Sequence, residues 1–211
     1  MTVKICGMRE AENIRQVEQA GADWMGFIFY EGSPRFVGEL PAYLPRKMQR
    51  IGVFVNPSSA SLIYNKVQKL RLDGVQLHGN ETPELCSLLR TSGLKVIKSF
   101  SISCKDDLRQ TENYAGRCDC FLFDTPTPGY GGSGLSFDWN ILHAYTGQTP
   151  FLLSGGIRPE SLCRLLAFHH PRWTGIDLNS GFETAPGIKD PQALTQFIRR
   201  FRLYNHTSVE H

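Results

Sequence analysis

The chain has 211 residues, a hydrophobic fraction of 41%, a charged fraction of 20% and a formal net charge of +3. This length suits one domain with a full hydrophobic core, and so small a positive charge gives no indication of a nucleic acid partner or an anionic membrane surface. No apolar run approaches the roughly 18 residues that cross a bilayer, and the N-terminus does not resemble a signal peptide, so we expect a cytoplasmic protein.

Short runs rich in Val, Ile and Phe alternate with longer stretches of helical spacing along the chain. The predicted strands are 3–6, 24–29, 50–55, 74–78, 95–100, 120–124, 150–154 and 174–178. The predicted helical stretches are 10–20, 39–48, 58–71, 82–92, 106–115, 139–145, 159–168 and 190–203. Among them, 39–48 is the weakest because it contains Pro41 and Pro45.

This alternation predicts the fold class. Strands that alternate with helices indicate parallel βαβ units. Eight compact units favour a single α/β domain, a closed, parallel eight-stranded (β/α)8 TIM barrel, over an open doubly wound sheet. We expect the catalytic barrel to cover residues 1–204 and residues 205–211 to form a loose C-terminal tail.

The cysteines are expected to be reduced thiols, because a chain of this length does not need disulfides. Cys118 and Cys120 form a C-x-C pair. We expect both to pack on one face of a strand, since a structural zinc site needs four ligands at characteristic spacings. No metal site is therefore predicted.

Polar residues and glycines follow most of the predicted strands. In order along the chain, they are Cys6, Ser33-Pro34-Arg35, Asn56, His78, Asp124, Ser154-Gly155-Gly156 and Asp177-Leu178-Asn179-Ser180-Gly181. Active sites of TIM barrels lie at the carboxyl ends of the strands. The active site is therefore predicted at this end of the barrel.

The last two strands are each followed by a loop that suits phosphate. Gly155 and Gly156 follow the seventh strand, and Ser180 and Gly181 follow the eighth. Backbone N–H groups at such turns bind phosphate without a charged side chain, and these loops are the usual phosphate site of the fold. The alternative is two ordinary glycine turns, which would not explain why both loops share the pattern.

Three side chains at strand ends can transfer protons: Cys6, Asp124 and His78. For His78, a packed or hydrogen-bonded barrel histidine is an equally good interpretation. Arg35, in the loop after the second strand, can bind a carboxylate through two parallel hydrogen bonds, although it could also be a surface arginine. Together with a phosphate site, these groups predict proton transfer on a sugar phosphate.

The segment Gly129–Gly134 matches G-x-G-x-x-G, but it does not predict a dinucleotide site. Its glycines lie well beyond the preceding strand, and no acidic residue follows at about 20 positions. We expect residues 126–137 to form a glycine-rich lid. With no nucleotide motif, metal cluster or Schiff-base lysine signature, no cofactor is predicted.

Seven segments together resemble the phosphoribosylanthranilate isomerase family of tryptophan biosynthesis, in order, from residue 3 to about residue 192. They are KICGM, GFIFYEGSPR, GVFVN, GVQLHG, FDT…GGSGLSFDW, LSGGIRPE and DLNSGFETAPGIKD. Three small departures from the family occur. GGSG has serine where the family usually has threonine, LSGG has serine where the family has alanine, and DLNSG has asparagine before Ser-Gly where the family often has serine. None of them changes a group that would transfer a proton.

The resemblance implies an Amadori rearrangement of N-(5-phosphoribosyl)anthranilate with Cys6 as general base and Asp124 as general acid. It also implies that Arg35 binds the anthranilate carboxylate. The implied phosphate ligands are Gly155, Gly156, Ser180 and Gly181. We include His78 and Asp177 among the substrate-binding residues because both lie at strand ends. The partner is then a small phosphosugar, and the protein is expected to be a monomer or a homodimer.

Two alternatives stay open at this point. One is another phosphosugar-binding barrel isomerase, although the relative with similar chemistry in histidine synthesis carries an aspartate where this chain has Cys6. The other is a non-catalytic sensor of phosphorylated ligands. A sensor would need the phosphate loops but would have no use for both Cys6 and Asp124.

Overall fold

The computed structural model describes residues 1–126 and 138–207, with side chains as far as Tyr204. Eight parallel strands form a closed barrel in chain order, with the last strand paired to the first. The strands are β1 (Thr2–Ile5), β2 (Trp24–Ile28), β3 (Gln49–Phe54), β4 (Gly74–Leu77), β5 (Lys95–Ser101), β6 (Cys120–Asp124), β7 (Phe151–Leu153) and β8 (Trp173–Leu178). The predicted TIM barrel is thus confirmed.

Helices follow seven of the eight strands within the described residues. The α-helices are α1 (Ala11–Glu18), α2 (Ala60–Leu70), α3 (Pro83–Thr91), α4 (Leu162–Ala167) and α5 (Pro191–Thr207). Tighter 3₁₀ helices span Lys105–Tyr114, Trp139–Ala144, Pro159–Ser161 and Ser180–Phe182. None of the helices in this part of the chain is long and apolar enough to cross a membrane.

The prediction of a helix over 39–48 is wrong. That segment is irregular, because its prolines remove backbone donors and do not fit inside a helix. The Glu18 carboxylate organises it instead, accepting hydrogen bonds from the Tyr43 hydroxyl and from the Lys47 backbone N–H, the latter at 2.6 Å. A buried side chain therefore satisfies backbone groups that a helix would otherwise pair.

The C-terminal region differs from expectation in two ways. A short antiparallel hairpin, β9 (Glu183–Ala185) with β10 (Ile188–Lys189), follows β8. Helix α5 continues to Thr207, so the first three residues of the predicted tail are helical. The rest of that tail, and Gly129–Gly134 of the predicted lid, lie outside the described residues.

The barrel interior has an apolar layer and a polar layer. The apolar layer contains Ile51, Ile97, Cys120, Leu122 and Leu152. Buried polar side chains lie toward the carboxyl ends of the strands, and they include Lys4, Gln76, Ser99, Ser154 and Asp177. The polar layer forms the floor of the barrel mouth where the active site is predicted.

The expectation that Cys118 and Cys120 share one face of a strand is wrong. Cys118 precedes β6 and packs in the larger cluster between strands and helices, whereas Cys120 lies in the barrel interior. Consecutive residues of a strand alternate sides, but that rule does not extend to Cys118, since β6 begins at Cys120.

The barrel closes through a close approach of β8 to β1. The two strands pair from Thr2 opposite Gly175 to Ile5 opposite Leu178. A Cβ atom at Gly175 would lie 2.0 Å from the Thr2 carbonyl oxygen, which is backbone and cannot rotate away. Glycine at this position therefore allows the seam to form.

Candidate active site

Cys6 lies at the mouth of the barrel, directly after β1. Its backbone N–H donates to the Leu178 carbonyl at 2.8 Å, which fixes the residue to the end of β8. The side chain is 3% exposed and lies against Gly26 of β2, where a Cβ atom would be 2.9 Å from the sulfur. The absence of a side chain at Gly26 provides the space for the thiol.

A buried ion pair lies below this thiol. Lys4 Nζ donates to Asp177 Oδ1 at 2.9 Å, and the two side chains are 0% and 6% exposed. Sequence reasoning named Asp177 but missed Lys4. The available signal was parity: Lys4 precedes Cys6 by two residues, so in a strand both side chains point to the same side.

Asp124, at the end of β6, joins the same polar layer. Its Oδ1 accepts from the Thr125 N–H at 2.8 Å, and its Oδ2 lies 3.6 Å from His78 Nε2. The Ser154 side chain at the end of β7 is in hydrogen-bonding contact with both Asp124 and Asp177. The acid and the base predicted from the sequence are therefore connected through Lys4, Asp177 and Ser154.

Burial controls the protonation of the Asp124 carboxyl group and of the His78 imidazole. Desolvation raises the pKa of Asp124 to about 6, and the nearby Asp177 charge adds to this increase. Burial lowers the pKa of His78 to about 4, with further lowering by Lys98 and Lys4. Near neutral pH His78 is thus uncharged, and its contact with Asp124 is not an ion pair.

His78 is held on its other side by Gln76, whose Nε2 lies 2.9 Å from Nδ1. The hydrogen-bonded barrel histidine considered from the sequence is therefore present. The same side chain also faces Asp124, and its part in the reaction stays a prediction.

The thiol of Cys6 has opposing influences on its pKa. Burial raises the pKa above the ordinary value, and Asp177 raises it further. Lys4 is the largest opposing influence, and Lys189 contributes in the same direction. The cations next to the sulfur therefore determine how easily it ionises.

Arg35 is buried rather than a surface arginine. Its Nε and Nη2 atoms donate to the two carboxylate oxygens of Glu183 at 2.8 and 2.6 Å. Lys189 contacts the same carboxylate and donates to Asn179 Oδ1 at 2.8 Å. Two cations thus share one carboxylate, which leaves a net positive charge. The cluster lies beside Cys6, since a Cβ atom at Gly7 would be 2.6 Å from Arg35 Cδ.

Glu183 and Lys189 were also missed from the sequence. Both lie on the β9–β10 hairpin, whose strands contain three and two residues. Segments this short carry no periodic pattern. The available signal was the polar character of a loop that follows the last strand of a barrel.

The two predicted phosphate loops are packed together. Gly155 and Gly156 have φ angles of +81° and +64°, which other residues rarely adopt. A Cβ atom at Gly181 would lie 2.1 Å from the Ile157 carbonyl oxygen, so the loops after β7 and β8 touch. A Cβ atom at Gly155 would lie 3.0 Å from Asp124 Oδ1. The predicted phosphate loop after β7 is therefore next to Asp124.

In residues 1–126 and 138–207, no group of three His, Cys, Asp or Glu side chains is arranged to hold a metal ion. The polar groups of the mouth are instead three carboxyl groups, a thiol, an imidazole and buried cations. Such a set can bind an anionic substrate and transfer protons.

Comparisons with known proteins agree on one family. Residues 3–200 match the model of the family described as N-(5'phosphoribosyl)anthranilate (PRA) isomerase. An N-(5'-phosphoribosyl)anthranilate isomerase of Phocaeicola vulgatus is 59% identical over 202 residues, which cover 96% of this chain and 98% of that protein.

Solved structures give the same result. Monomers of the dimeric phosphoribosylanthranilate isomerase from Thermotoga maritima match with a TM-score of 0.79 and 31% identity, covering 96% of this chain and 98% of that one. A phosphoribosylanthranilate isomerase in complex with reduced 1-(o-carboxyphenylamino)-1-deoxyribulose 5-phosphate matches with a TM-score of 0.77 and 30% identity, over the same shares of 96% and 98%.

Proposed function

Since this chain belongs to the N-(5'-phosphoribosyl)anthranilate isomerase family and is an isomerase of tryptophan biosynthesis, we propose that Cys6 and Asp124 perform the proton transfers of its Amadori rearrangement. The substrate is N-(5-phosphoribosyl)anthranilate, and the product is 1-(2-carboxyphenylamino)-1-deoxyribulose 5-phosphate. Cys6 is the general base and Asp124 the general acid.

The reaction needs one proton delivered and one removed. Asp124 donates a proton to the furanose ring oxygen as the C1′–O bond breaks, which gives an open-chain protonated imine. Cys6, as a thiolate, then removes the proton from C2′; the electron pair of that C–H bond forms the C1′=C2′ double bond, and the π electron pair of the C1′=N bond moves to the nitrogen and neutralises it. The resulting enolamine tautomerises to the ketone. General acid and base groups of this kind contribute about 10²- to 10⁴-fold each.

One observation carries this assignment: a continuous series of polar contacts connects Cys6 with Asp124 across the barrel mouth. Lys4 lies beside Cys6 and pairs with Asp177, and Ser154 contacts both Asp177 and Asp124. A single pentose bound over this layer would face the sulfur and the carboxyl group together.

The hydrogen bonds of Ser154 are compatible with the acid form of Asp124, which burial favours. A serine hydroxyl has one proton, so it cannot donate to two carboxylates at once. When Asp124 is protonated, it can donate to Ser154, and Ser154 can donate to Asp177. The pKa of about 6 for Asp124 leaves part of the population in this form near neutral pH.

The remaining groups fit the two ends of the substrate. The net positive charge of the Arg35, Glu183 and Lys189 cluster suits the anthranilate carboxylate. The backbone of the Gly155–Gly156 and Ser180–Gly181 loops suits the phosphate. His78, uncharged, contacts the substrate beside Asp124. A cytoplasmic location and a monomer or homodimer stay predictions.

A fluorescence assay tests this function. N-(5-phosphoribosyl)anthranilate is generated in situ, and its fluorescence is followed after adding protein in much smaller molar amount, with a chelator and no nucleotide. We expect the fluorescence to be lost over many turnovers per protein molecule. Loss limited to one substrate per protein would indicate the phosphate-ligand sensor, and no change at all would contradict both functions.

Replacing Arg35 with alanine is expected to raise KM about 10- to 100-fold and to change kcat much less. Hydrogen bonds to a charged partner contribute about 1.5–3 kcal/mol, and 1.4 kcal/mol corresponds to a tenfold change in binding. Steady-state kinetics with the natural substrate and with the analogue that lacks the carboxyl group measure the effect.

A suitable control is Arg90→Ala, which removes an exposed ion pair with Asp119 at the opposite end of the barrel. Its KM should equal that of the wild type. If Arg35→Ala weakened binding of both substrates equally, Arg35 would not be the ligand of the carboxylate.

A further inference from the structure

We propose that Lys4 is a positioning residue for this reaction and acts through Cys6: its ammonium group, fixed by Asp177, supplies the positive charge beside which the Cys6 sulfur becomes an anion. This inference rests on the proposed function of Cys6 as the base. It assigns a role to a fully buried side chain that takes no part in the proton transfers described above.

The geometry places the ammonium next to the sulfur. A Cβ atom at Gly26 would lie 2.9 Å from Cys6 Sγ and 3.2 Å from Lys4 Nζ, so both atoms lie against the same glycine. Lys4 is 0% exposed, and its ammonium donates to Asp177 Oδ1 at 2.9 Å and is in hydrogen-bonding contact with the Cys6 side chain. A lysine has three N–H donors, so this ion pair leaves donors available for the thiolate.

A buried thiolate needs such a partner. Burying an unpaired charge is unfavourable, and an opposite charge within a few ångströms compensates for the lost hydration. A substrate phosphate and a substrate carboxylate would both oppose a negative charge on sulfur. A cation in the barrel floor that does not bind the substrate can offset this repulsion between the substrate anions and the thiolate.

Four charged groups face the sulfur from the elements around it. They are Lys4 on β1, Asp177 on β8, Lys189 on β10 and Arg35 in the loop after β2. Asp177 disfavours the thiolate, whereas the three cations favour it. Arg35 and Lys189 already share the Glu183 carboxylate. Lys4 is the cation with the largest influence on Cys6.

The simpler interpretation is that Lys4 only neutralises Asp177. Both roles predict a less stable protein when Lys4 is replaced, because removing one partner of a buried ion pair leaves an unpaired charge. They differ in what happens to the sulfur. The reactivity of Cys6 toward a small uncharged alkylating reagent reports its thiolate fraction independently of catalysis.

The test compares the wild type with Lys4→Met and with the double variant Lys4→Met/Asp177→Asn. The double variant leaves no unpaired buried charge, so it can be used if Lys4→Met does not fold. Each protein is treated with iodoacetamide over a range of pH, and alkylation of each cysteine is followed by mass spectrometry. The exposed Cys104 and Cys163 serve as references within the same sample. The pH dependence of kcat is measured in parallel.

We expect Cys6 alkylation at neutral pH to fall at least about tenfold in Lys4→Met, which corresponds to a pKa increase of about one unit. In the double variant the fall should be smaller, because Asp177→Asn also removes an anion that disfavours the thiolate. In each variant kcat should fall by at least the factor seen for Cys6 alkylation, while Cys104 and Cys163 react as before. An unchanged alkylation curve for Cys6 would overturn the proposal, including when kcat falls, because Lys4 would then be only structural. The function itself fails separately, if Cys6→Ala retains turnover.

Discussion

Replacing Cys6 with alanine is expected to reduce kcat by about 10²- to 10⁴-fold, the usual contribution of a general base. Alanine removes the sulfur that would accept the C2′ proton and puts no other base in its place. The side chain is small and lies against Gly26 at the mouth rather than in the apolar layer, so we expect the barrel to fold. Kinetics with substrate generated in situ, together with circular dichroism, measure both results.

Two further variants sharpen this prediction. Cys6→Ser keeps the size of the side chain but replaces the thiol with a hydroxyl, a much weaker acid, so it should lose nearly as much activity. Cys163→Ala removes an exposed thiol on α4 and should have wild-type kcat. Turnover at the wild-type rate in Cys6→Ala would remove the base from the mechanism.

Replacing Asp124 with asparagine is expected to lower kcat by a similar factor, because the amide has the shape of the carboxyl group but no acidic proton for the ring oxygen. The variant should also be folded, since the asparagine side chain can keep the hydrogen bond from the Thr125 N–H. Wild-type kcat in Asp124→Asn would contradict the assigned acid.

The pH dependence of the wild type identifies the acid more directly. With Asp124 as the proposed acid and Cys6 as the proposed base, activity is expected to require protonated Asp124, whose pKa is about 6, and ionised Cys6, whose pKa is above its ordinary 9.0. Below pH 6 Asp124 stays protonated and the rate rises as more Cys6 ionises. Between the two pKa values the ionised fraction of Cys6 rises with pH by the same factor as the protonated fraction of Asp124 falls, so the rate does not change with pH. Above the pKa of Cys6 the rate falls.

Asp124→Asn should lose the change of slope near pH 6, and its residual rate should continue to rise with pH until Cys6 is ionised. The substrate phosphate also titrates near pH 6, as phosphate monoesters have a second pKa of about 6. A change of slope that persisted in Asp124→Asn would therefore belong to the phosphate. Profiles of kcat/KM for both proteins distinguish the two causes.

Much of the site follows from one regularity of the sequence. In a parallel barrel the carboxyl ends of all strands meet on one rim. Cys6, Asp124 and Asp177 each lie at or directly after the end of a predicted strand, and recognising the strands was enough to bring these residues together. The glycines after the seventh and eighth strands were found in the same way, since turns have a local signature.

Other parts of the site have no such local signature. Lys4 is a charged residue in a predicted strand, and sequence alone does not show that Asp177 will neutralise it from the other end of the chain. Glu183 and Lys189 depend on a hairpin too short to have a period. The segment 39–48 was mistaken for a helix because its alternation with strands outweighed its prolines. The omission of Lys4 concerns long-range pairing, which local patterns do not record.

The pairing of β1 with β8 has a consequence for how the protein acquires activity. Lys4 and Asp177 are 173 residues apart, yet they share one ion pair beside Cys6. The terminal segments of the polypeptide must therefore meet before the Cys6 thiol has its complete electrostatic surroundings. A nascent chain that still lacks its last strand contains Cys6, Arg35 and Asp124 but no working enzyme, and recovery of turnover during refolding should coincide with the final docking of that strand.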